Sequence, residues 1–218
     1  MNFTLMEQGG PIMWPLLGLS ILGFIFFVER TLFLHKGKIR TMEFLEGIKN
    51  LVRQKRILEA LTVCEETPGP IVSVVKASIL NYDSDETKIR SAVQAAALVE
   101  IPTLERRIGT IAAIAKVTPM LGLLGTLIGL IQTFFLLQAE GPYANSANFA
   151  EYFAQALITT VVGIAISIMG YLAHHFLNGR VRALVHDMEW VGNNMMQFLL
   201  SDVFQKTTES ENNENSAT

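Results

Sequence analysis

Three long stretches without charged residues constrain this chain more than any other feature of its sequence. They cover 12–28, 117–137 and 152–173, and none contains Asp, Glu, Lys or Arg. Because a helix rises about 1.5 Å per residue, about 20 residues cross a hydrocarbon core of roughly 30 Å. The second and third stretches are long enough, and the first becomes so when it extends to residue 34. The sequence therefore predicts an all-α membrane protein with three transmembrane helices.

The basic residues predict how these helices are oriented. All 17 Lys and Arg lie within 30–90, 106–116 and 180–206, whereas 1–11 and 138–151 contain none. Lys and Arg that flank membrane spans remain in the cytoplasm. We therefore expect the N-terminus and the 138–151 loop outside and the C-terminus inside.

Small residues recur along one face of the second and third spans. Their spacing of three and four residues keeps them on one side of each helix, and small residues let helices approach closely in lipid. The predicted helix-packing residues are Pro119, Gly122, Gly125, Gly129, Gly163 and Gly170.

Polar side chains interrupt the same two spans. The candidates for an ion pathway are Thr126, Thr133, Gln155, Thr159 and Thr160. A polar lining between helices serves water, an ion or another helix. A membrane threonine can also bond only its own backbone. The residues alone leave both interpretations open.

Several functions require features that this sequence lacks. A proton relay needs a titratable group inside the membrane, and the second and third spans have no Asp, Glu, Lys or Arg. A carboxylate for proton transfer must therefore come from a partner. The sequence has no metalloprotease, serine hydrolase or P-loop motif, and Cys64 is its single cysteine. No enzyme activity, metal, cofactor or nucleic-acid partner is predicted.

Two stretches carry a resemblance to a known family. The run "ALVEIPTLERRIGTIAAIAKVTPMLGLLGTLIGLIQTF" resembles the signature of the MotA/TolQ/ExbB proton channel family, closest to its ExbB and TolQ branch. The run "YFAQALITTVVGIAISI" is similar to the last span of that family. The likeness extends over residues 10–200.

The resemblance implies a subunit of an energy-transducing motor in the bacterial inner membrane. Such subunits form a homo-oligomeric ring, usually a pentamer, around single-span ExbD- or TolR-like helices that each supply an aspartate. Proton flow through the ring drives work in the periplasm or at the outer membrane, through a TonB- or TolA-like protein or in another import process.

By position, the resemblance assigns the family's pore threonines to Thr126 and Thr160. Well-known members have a glutamate where this chain has Gln155, and glutamine bonds water but does not titrate. The choice between H⁺ and Na⁺ therefore stays open. A non-conducting scaffold that anchors a partner and a channel that works alone are the alternatives. A flagellar stator is disfavoured, since those subunits usually have four spans.

The predicted organisation divides the chain into eight segments. They are a periplasmic N-terminus (1–11), transmembrane helix 1 (12–34), a cytoplasmic helical domain (35–112), transmembrane helix 2 (113–137), a periplasmic loop (138–151), transmembrane helix 3 (152–175), a cytoplasmic amphipathic helix (176–204) and a disordered tail (205–218). We also expect one unbroken helical rod from Glu86 to Leu137, with Pro102 and Pro119 inside it.

Overall fold

The computed structural model describes residues 9–36, 41–141 and 146–215, and every regular element in these ranges is a helix. The helices are α1 (Met13–Lys36), α2 (Thr41–Arg53), α3 (Ile57–Glu66), α4 (Pro70–Leu80), α5 (Glu86–Glu105), α6 (Ile108–Glu140) and α7 (Ser146–Asn215). The all-α prediction is confirmed. Most of the predicted N-terminal segment and part of the 138–151 loop lie outside the described residues.

Three helical stretches are long and apolar enough to cross a membrane: Met13–His35, Glu86–Ala139 and Phe149–Ser201. The second of these contains both α5 and α6. Large apolar side chains on them lie on the surface of the chain. Trp14 is 71% exposed, Met120 is 68% exposed and Val161 is 66% exposed. Lipid or other helices cover such surfaces in a membrane protein, whereas a soluble monomer rarely exposes them over a large area. The prediction of three membrane-length apolar helices is confirmed.

The chain forms two compact units. The first combines Met1–Thr31 with Arg107–Asn178, and the second combines Leu32–Arg106 with Gly179–Thr218. The first unit contains most of the membrane-length apolar sequence, and the second contains the short helices α2 to α4.

The second unit has its own hydrophobic core. Helix α4 buries most of its residues, including Val74 and Val75 at 0% exposure. Helix α7 adds Met188, Val191 and Met195, which are spaced three and four residues apart and are all buried. The amphipathic helix predicted for 176–204 therefore buries these three apolar side chains.

The predicted unbroken rod from Glu86 to Leu137 is wrong. Helix α5 ends at Glu105 and α6 begins at Ile108, because Arg107 adopts a left-handed conformation with φ of 67°. Neither proline causes this break, since Pro102 and Pro119 both lie inside helices. The Arg107 guanidinium instead binds the Glu29 carboxylate and lies 5.8 Å from the centre of the Phe26 ring. These contacts help offset the cost of about 1–2 kcal/mol of a left-handed non-glycine residue.

Arg107→Ala is expected to destabilise the protein by roughly 1 kcal/mol more than Arg107→Gly. Both variants lose the contacts with Glu29 and Phe26, but only glycine adopts the left-handed conformation without strain. Thermal unfolding in detergent measures the difference, with Arg106→Ala as the neighbouring control. Equal losses of stability for the two Arg107 variants would show that backbone strain at this break does not contribute to the free energy of unfolding.

The single cysteine lies in the core of the second unit. Cys64 is 4% exposed, and burial raises the pKa of its thiol to about 11, against a smaller lowering by Lys76. Because only the thiolate reacts rapidly, we expect N-ethylmaleimide at pH 7.5 to modify Cys64 slowly in the folded protein and rapidly in denaturant.

The same pKa shift predicts a loss of stability at alkaline pH. The ordinary pKa is 9.0 and the folded value is higher, so the folded state binds more protons between pH 9 and 11. The free energy of unfolding therefore falls as pH rises through that range. The variant Cys64→Ala should lack this component of the pH dependence. Fast labelling of the native protein would contradict both expectations.

Helix α7 continues to Asn215, although the sequence predicts a disordered tail from 205 onward. No proline or glycine occurs after Gly192. The sequence therefore contains no strong helix-breaking residue at the predicted boundary.

Candidate functional site at the interface of α6 and α7

Two glycines bring the backbones of α6 and α7 together. A Cβ atom added to Gly122 would lie 3.1 Å from the carbonyl oxygen of Thr159, and one added to Gly163 would lie 2.8 Å from that of Thr118. These neighbours are backbone atoms, which cannot rotate away as a side chain can. Glycine is therefore required at position 163 for the observed helix separation, and a side chain at position 122 would push the helices apart by a few tenths of an ångström.

The remaining predicted glycines continue the same interface. A Cβ atom added to Gly129 would lie 2.7 Å from the Cβ of Ala156, and one added to Gly170 would lie 2.9 Å from the Cβ of Ala115. Gly125 faces the side chain of Thr159. The contact thus extends along much of the length of both spans.

The proline of α6 is accommodated by a hydroxyl group of α7. Pro119 has no N–H, so the carbonyl of Ala115, four residues earlier, lacks its helical donor. The Ser167 hydroxyl donates to that carbonyl at 2.7 Å, and the Thr118 hydroxyl lies 3.4 Å from it. Both side chains are buried. Sequence reasoning missed this bond, although a hydroxyl residue on the neighbouring span could have suggested it.

Two of the five candidate pathway residues are enclosed within the chain. Thr159 is 1% exposed, and its hydroxyl donates to the carbonyl of Ala156 at 2.8 Å. Thr133 is 4% exposed, and its hydroxyl donates to the carbonyl of Gly129 at 2.8 Å. Each therefore bonds its own helix, and neither side chain faces space outside the subunit.

The other three candidates are partly accessible. The Thr126 hydroxyl donates to the carbonyl of Leu123 at 2.6 Å, and the Thr160 hydroxyl donates across the interface to the carbonyl of Gly122 at 3.1 Å. Each oxygen retains lone pairs that can accept a bond. The Gln155 side chain lies against Gly10, just before α1, where φ is 65°. Gln155 therefore packs against the segment that leads into the first span.

The sequence analysis did not identify one further polar residue of the second span. The Oε1 atom of Gln132 is buried and has no hydrogen-bond partner among the described residues. A buried amide oxygen without a donor is costly, above all within a membrane. Gln132 is the single amide side chain of 117–137, and this was the signal that could have identified it.

The described residues contain no group of three His, Cys, Asp or Glu side chains that could hold a metal ion. The interface instead offers hydroxyl, amide and carbonyl groups. Such groups can coordinate water or an ion and can bond a protonated carboxyl group, but they do not titrate near neutral pH.

The sequence model of the MotA/TolQ/ExbB proton channel family matches residues 66–190, more than half of the chain. The chain belongs to this family. The matched region includes α4, α5 and the whole α6–α7 interface described above. The family consists of transport and channel proteins. Because this chain belongs to the family, it is a membrane protein.

Individual relatives belong to the ExbB and TolQ branch of the proton channel family. An ExbB homologue of Methanothermobacter thermautotrophicus is 28% identical over 85% of this chain and 66% of its own length. An ExbB-like protein of Synechocystis is 31% identical over 78% of this chain and 68% of its own length. The Tol-Pal system protein TolQ of Haemophilus influenzae is 33% identical over 50% of this chain and 48% of its own length.

Proposed function

We propose that this chain is an ExbB/TolQ-like subunit of an ion-driven motor in a bacterial inner membrane. The observation that carries the proposal is the pair α6 and α7. These helices pack tightly through glycine, expose hydroxyl groups at Thr126 and Thr160, and contain no carboxylate in their uncharged spans. Such a pair suits the wall of an ion pathway whose titrating group comes from elsewhere.

The missing acid defines the partner. Proton transfer through a membrane needs a group that gains and loses a proton at depth. A single-span ExbD- or TolR-like helix that carries an aspartate would supply this group at the centre of a ring of copies of this chain, in the family's usual pentamer. Proton flow past the aspartate would then drive work through a TonB- or TolA-like protein.

Each polar residue has a defined role in this proposal. Thr126 and Thr160 would bond the partner's carboxyl group or the water beside it. Gln132 would accept a hydrogen bond from water or from another helix in the assembled complex. Thr133 and Thr159, which are enclosed, would support the helix pair rather than contact the ion.

The proposed topology follows the charge distribution. The N-terminus and the 138–151 loop would face the periplasm, and the second unit would lie in the cytoplasm, where Lys and Arg near membrane spans remain. The large exposed apolar surface of the first unit would be divided between lipid and neighbouring copies in the ring.

A non-conducting scaffold is the second candidate function. Gln155 favours it, because this side chain replaces the glutamate of well-known relatives and packs against Gly10. In that case the ring would anchor and orient a partner without ion flow.

Ion flux into liposomes distinguishes these functions. The chain is reconstituted alone and with its co-purified single-span partner, and H⁺ and Na⁺ uptake are measured under an imposed gradient. The motor proposal predicts flux only with the partner present. Flux from the chain alone would support an independent channel, and no flux from an intact complex with either ion would support the scaffold.

A further inference from the structure

A half-open groove of about 570 Å³ lies in the first unit, between α1, α6 and α7. Its floor contains Ile111 and Ile114 of α6, which are buried, and its rims contain Phe24 of α1 and Met169 and Leu172 of α7, which are exposed. None of the described residues that line the groove is charged. Its volume lies within the range of sites that bind small molecules, about 300–1,000 Å³.

The groove is about as long as one leaflet of a bilayer is deep. Its lining residues extend from position 19 to 27 in α1 and from 165 to 176 in α7, all within the membrane-length stretches. At about 1.5 Å per residue, these ranges span about 12 Å and about 16 Å along the helices. One leaflet occupies about 15 Å of a hydrocarbon core that is roughly 30 Å thick. A transmembrane helix packed along this surface would extend over both leaflets, whereas the acyl chain of a phospholipid stays within its own leaflet.

A basic side chain lies at one end of the groove. The rings of Phe27 and Phe176, whose centres are 6.4 Å apart, line this end. The Arg107 guanidinium lies 5.8 Å from the centre of the adjacent Phe26 ring and binds the Glu29 carboxylate, but its side chain remains partly exposed. A guanidinium carries five N–H donors and suits phosphate as well as carboxylate. Arg107 can therefore bond a phosphate oxygen while it retains Glu29.

We propose that this groove binds one acyl chain of a phospholipid whose phosphate lies beside Arg107. Because lipid tails are as apolar as the groove, apolarity alone gives no preference for this site over the surrounding lipid. The preference would come from the fixed shape of the groove and from the charge-assisted bond between Arg107 and the phosphate. The bound lipid would fill the space between α1 and the pair α6 and α7. In the proposed topology it belongs to the inner leaflet, and its binding does not depend on ion conduction.

Gly23 allows the groove to be filled without moving the helices. A Cβ atom added to Gly23 would lie 3.6 Å from the Ile114 side chain, which is an ordinary van der Waals distance. Gly23→Leu would therefore direct a side chain into the space proposed for the acyl chain. Gly18→Leu is the matched control. Gly18 lies in the same helix outside the groove, and apart from its chain neighbours and the adjacent backbone of that helix, no described atom lies within 4 Å of its Cβ position.

Photolabelling in a defined bilayer tests the proposal on the assembled full-length protein. It is reconstituted in nanodiscs of phosphatidylethanolamine and phosphatidylglycerol that contain phosphatidylglycerol with a photoreactive acyl chain. Peptide mapping locates the labels, and native mass spectrometry counts the lipids that remain after detergent extraction. We expect labels concentrated in the peptides that line the groove and one retained lipid per chain. Gly23→Leu should lower both signals about fivefold or more, as overpacking of an occupied site predicts, and Gly18→Leu should change neither.

Three results would overturn the proposal. Labels spread evenly over all exposed apolar segments would show bulk lipid only. Equal labelling and retention in Gly23→Leu and Gly18→Leu would place the retained lipid elsewhere. A groove that stays unlabelled, with the photoreactive group on other surfaces, would make a neighbouring subunit the occupant. If Gly23→Leu does not fold, Ala165→Leu fills the opposite end of the groove from α7 and replaces it.

The phosphate contact is tested by Arg107→Gly, because glycine keeps the left-handed backbone without strain. This variant should lower lipid retention, since the acyl chain then lacks its charged anchor. Retention equal to that of the unsubstituted protein would overturn the assignment of the phosphate to Arg107.

Discussion

Gly163→Val is expected to separate α6 from α7 and to abolish assembly. A Cβ atom at this position would lie 2.8 Å from the carbonyl oxygen of Thr118 and 3.0 Å from the Cα of Gly122. Because both neighbours are backbone atoms, the helices themselves must move apart. Overpacking a close interface costs about 1–3 kcal/mol, and we expect at least the upper end of that range here.

Gly179→Val is the matched control for this substitution. Gly179 lies in the same helix, and apart from its chain neighbours and the adjacent backbone of that helix, no described atom lies within 4 Å of its Cβ position. Valine is a somewhat better helix former than glycine, so the control should keep its stability. Thermal unfolding, size-exclusion chromatography and ion flux are compared for the two variants. Similar behaviour of Gly163→Val and Gly179→Val would contradict the close approach of the two helices.

Ser167→Ala is expected to destabilise the helix pair by about 1–2 kcal/mol, near the upper end for hydrogen bonds between membrane helices. The variant leaves the Ala115 carbonyl with only the longer contact from Thr118. The loss should depend on Pro119, because Pro119→Ala returns an N–H donor to that carbonyl.

A double-mutant cycle measures this dependence. In the Pro119→Ala background, Ser167→Ala should cost less than about 0.5 kcal/mol, which gives a coupling energy of roughly 1 kcal/mol. Ser201→Ala, an exposed serine of the same helix that bonds the carbonyl of Phe198, is the control. Additive effects of the two substitutions would show that Ser167 does not compensate for the proline.

The sequence predicted those features that depend on local spacing. Gly122 and Gly163 were recognised because small residues three and four positions apart must share one face of a helix. The all-α fold and the three membrane-length helices followed from the uncharged stretches in the same way. The missing carboxylate was also evident from the absence of Asp and Glu in 117–137 and 152–173, and it defines the partner in the proposed function.

Features that depend on distant contacts were not predictable by the same means. The break at Arg107 involves Glu29, which lies 78 residues earlier in the chain, and no local signal marks it. The bond from Ser167 to Ala115 spans 52 residues. Thr159 and Thr160 looked equivalent in the sequence. The packing of α6 on α7 distinguishes them, because it encloses the hydroxyl of Thr159 and leaves that of Thr160 partly accessible.

The central claim is that this chain conducts ions only through an acid that its partner supplies. The most direct test compares H⁺ flux in liposomes that contain the complex with the native partner and with a partner whose membrane aspartate is changed to asparagine. The proposal predicts that this substitution abolishes flux while the mass of the complex stays unchanged. Undiminished flux with the asparagine variant would contradict it, because no acid of the α6 and α7 spans could take over the transfer.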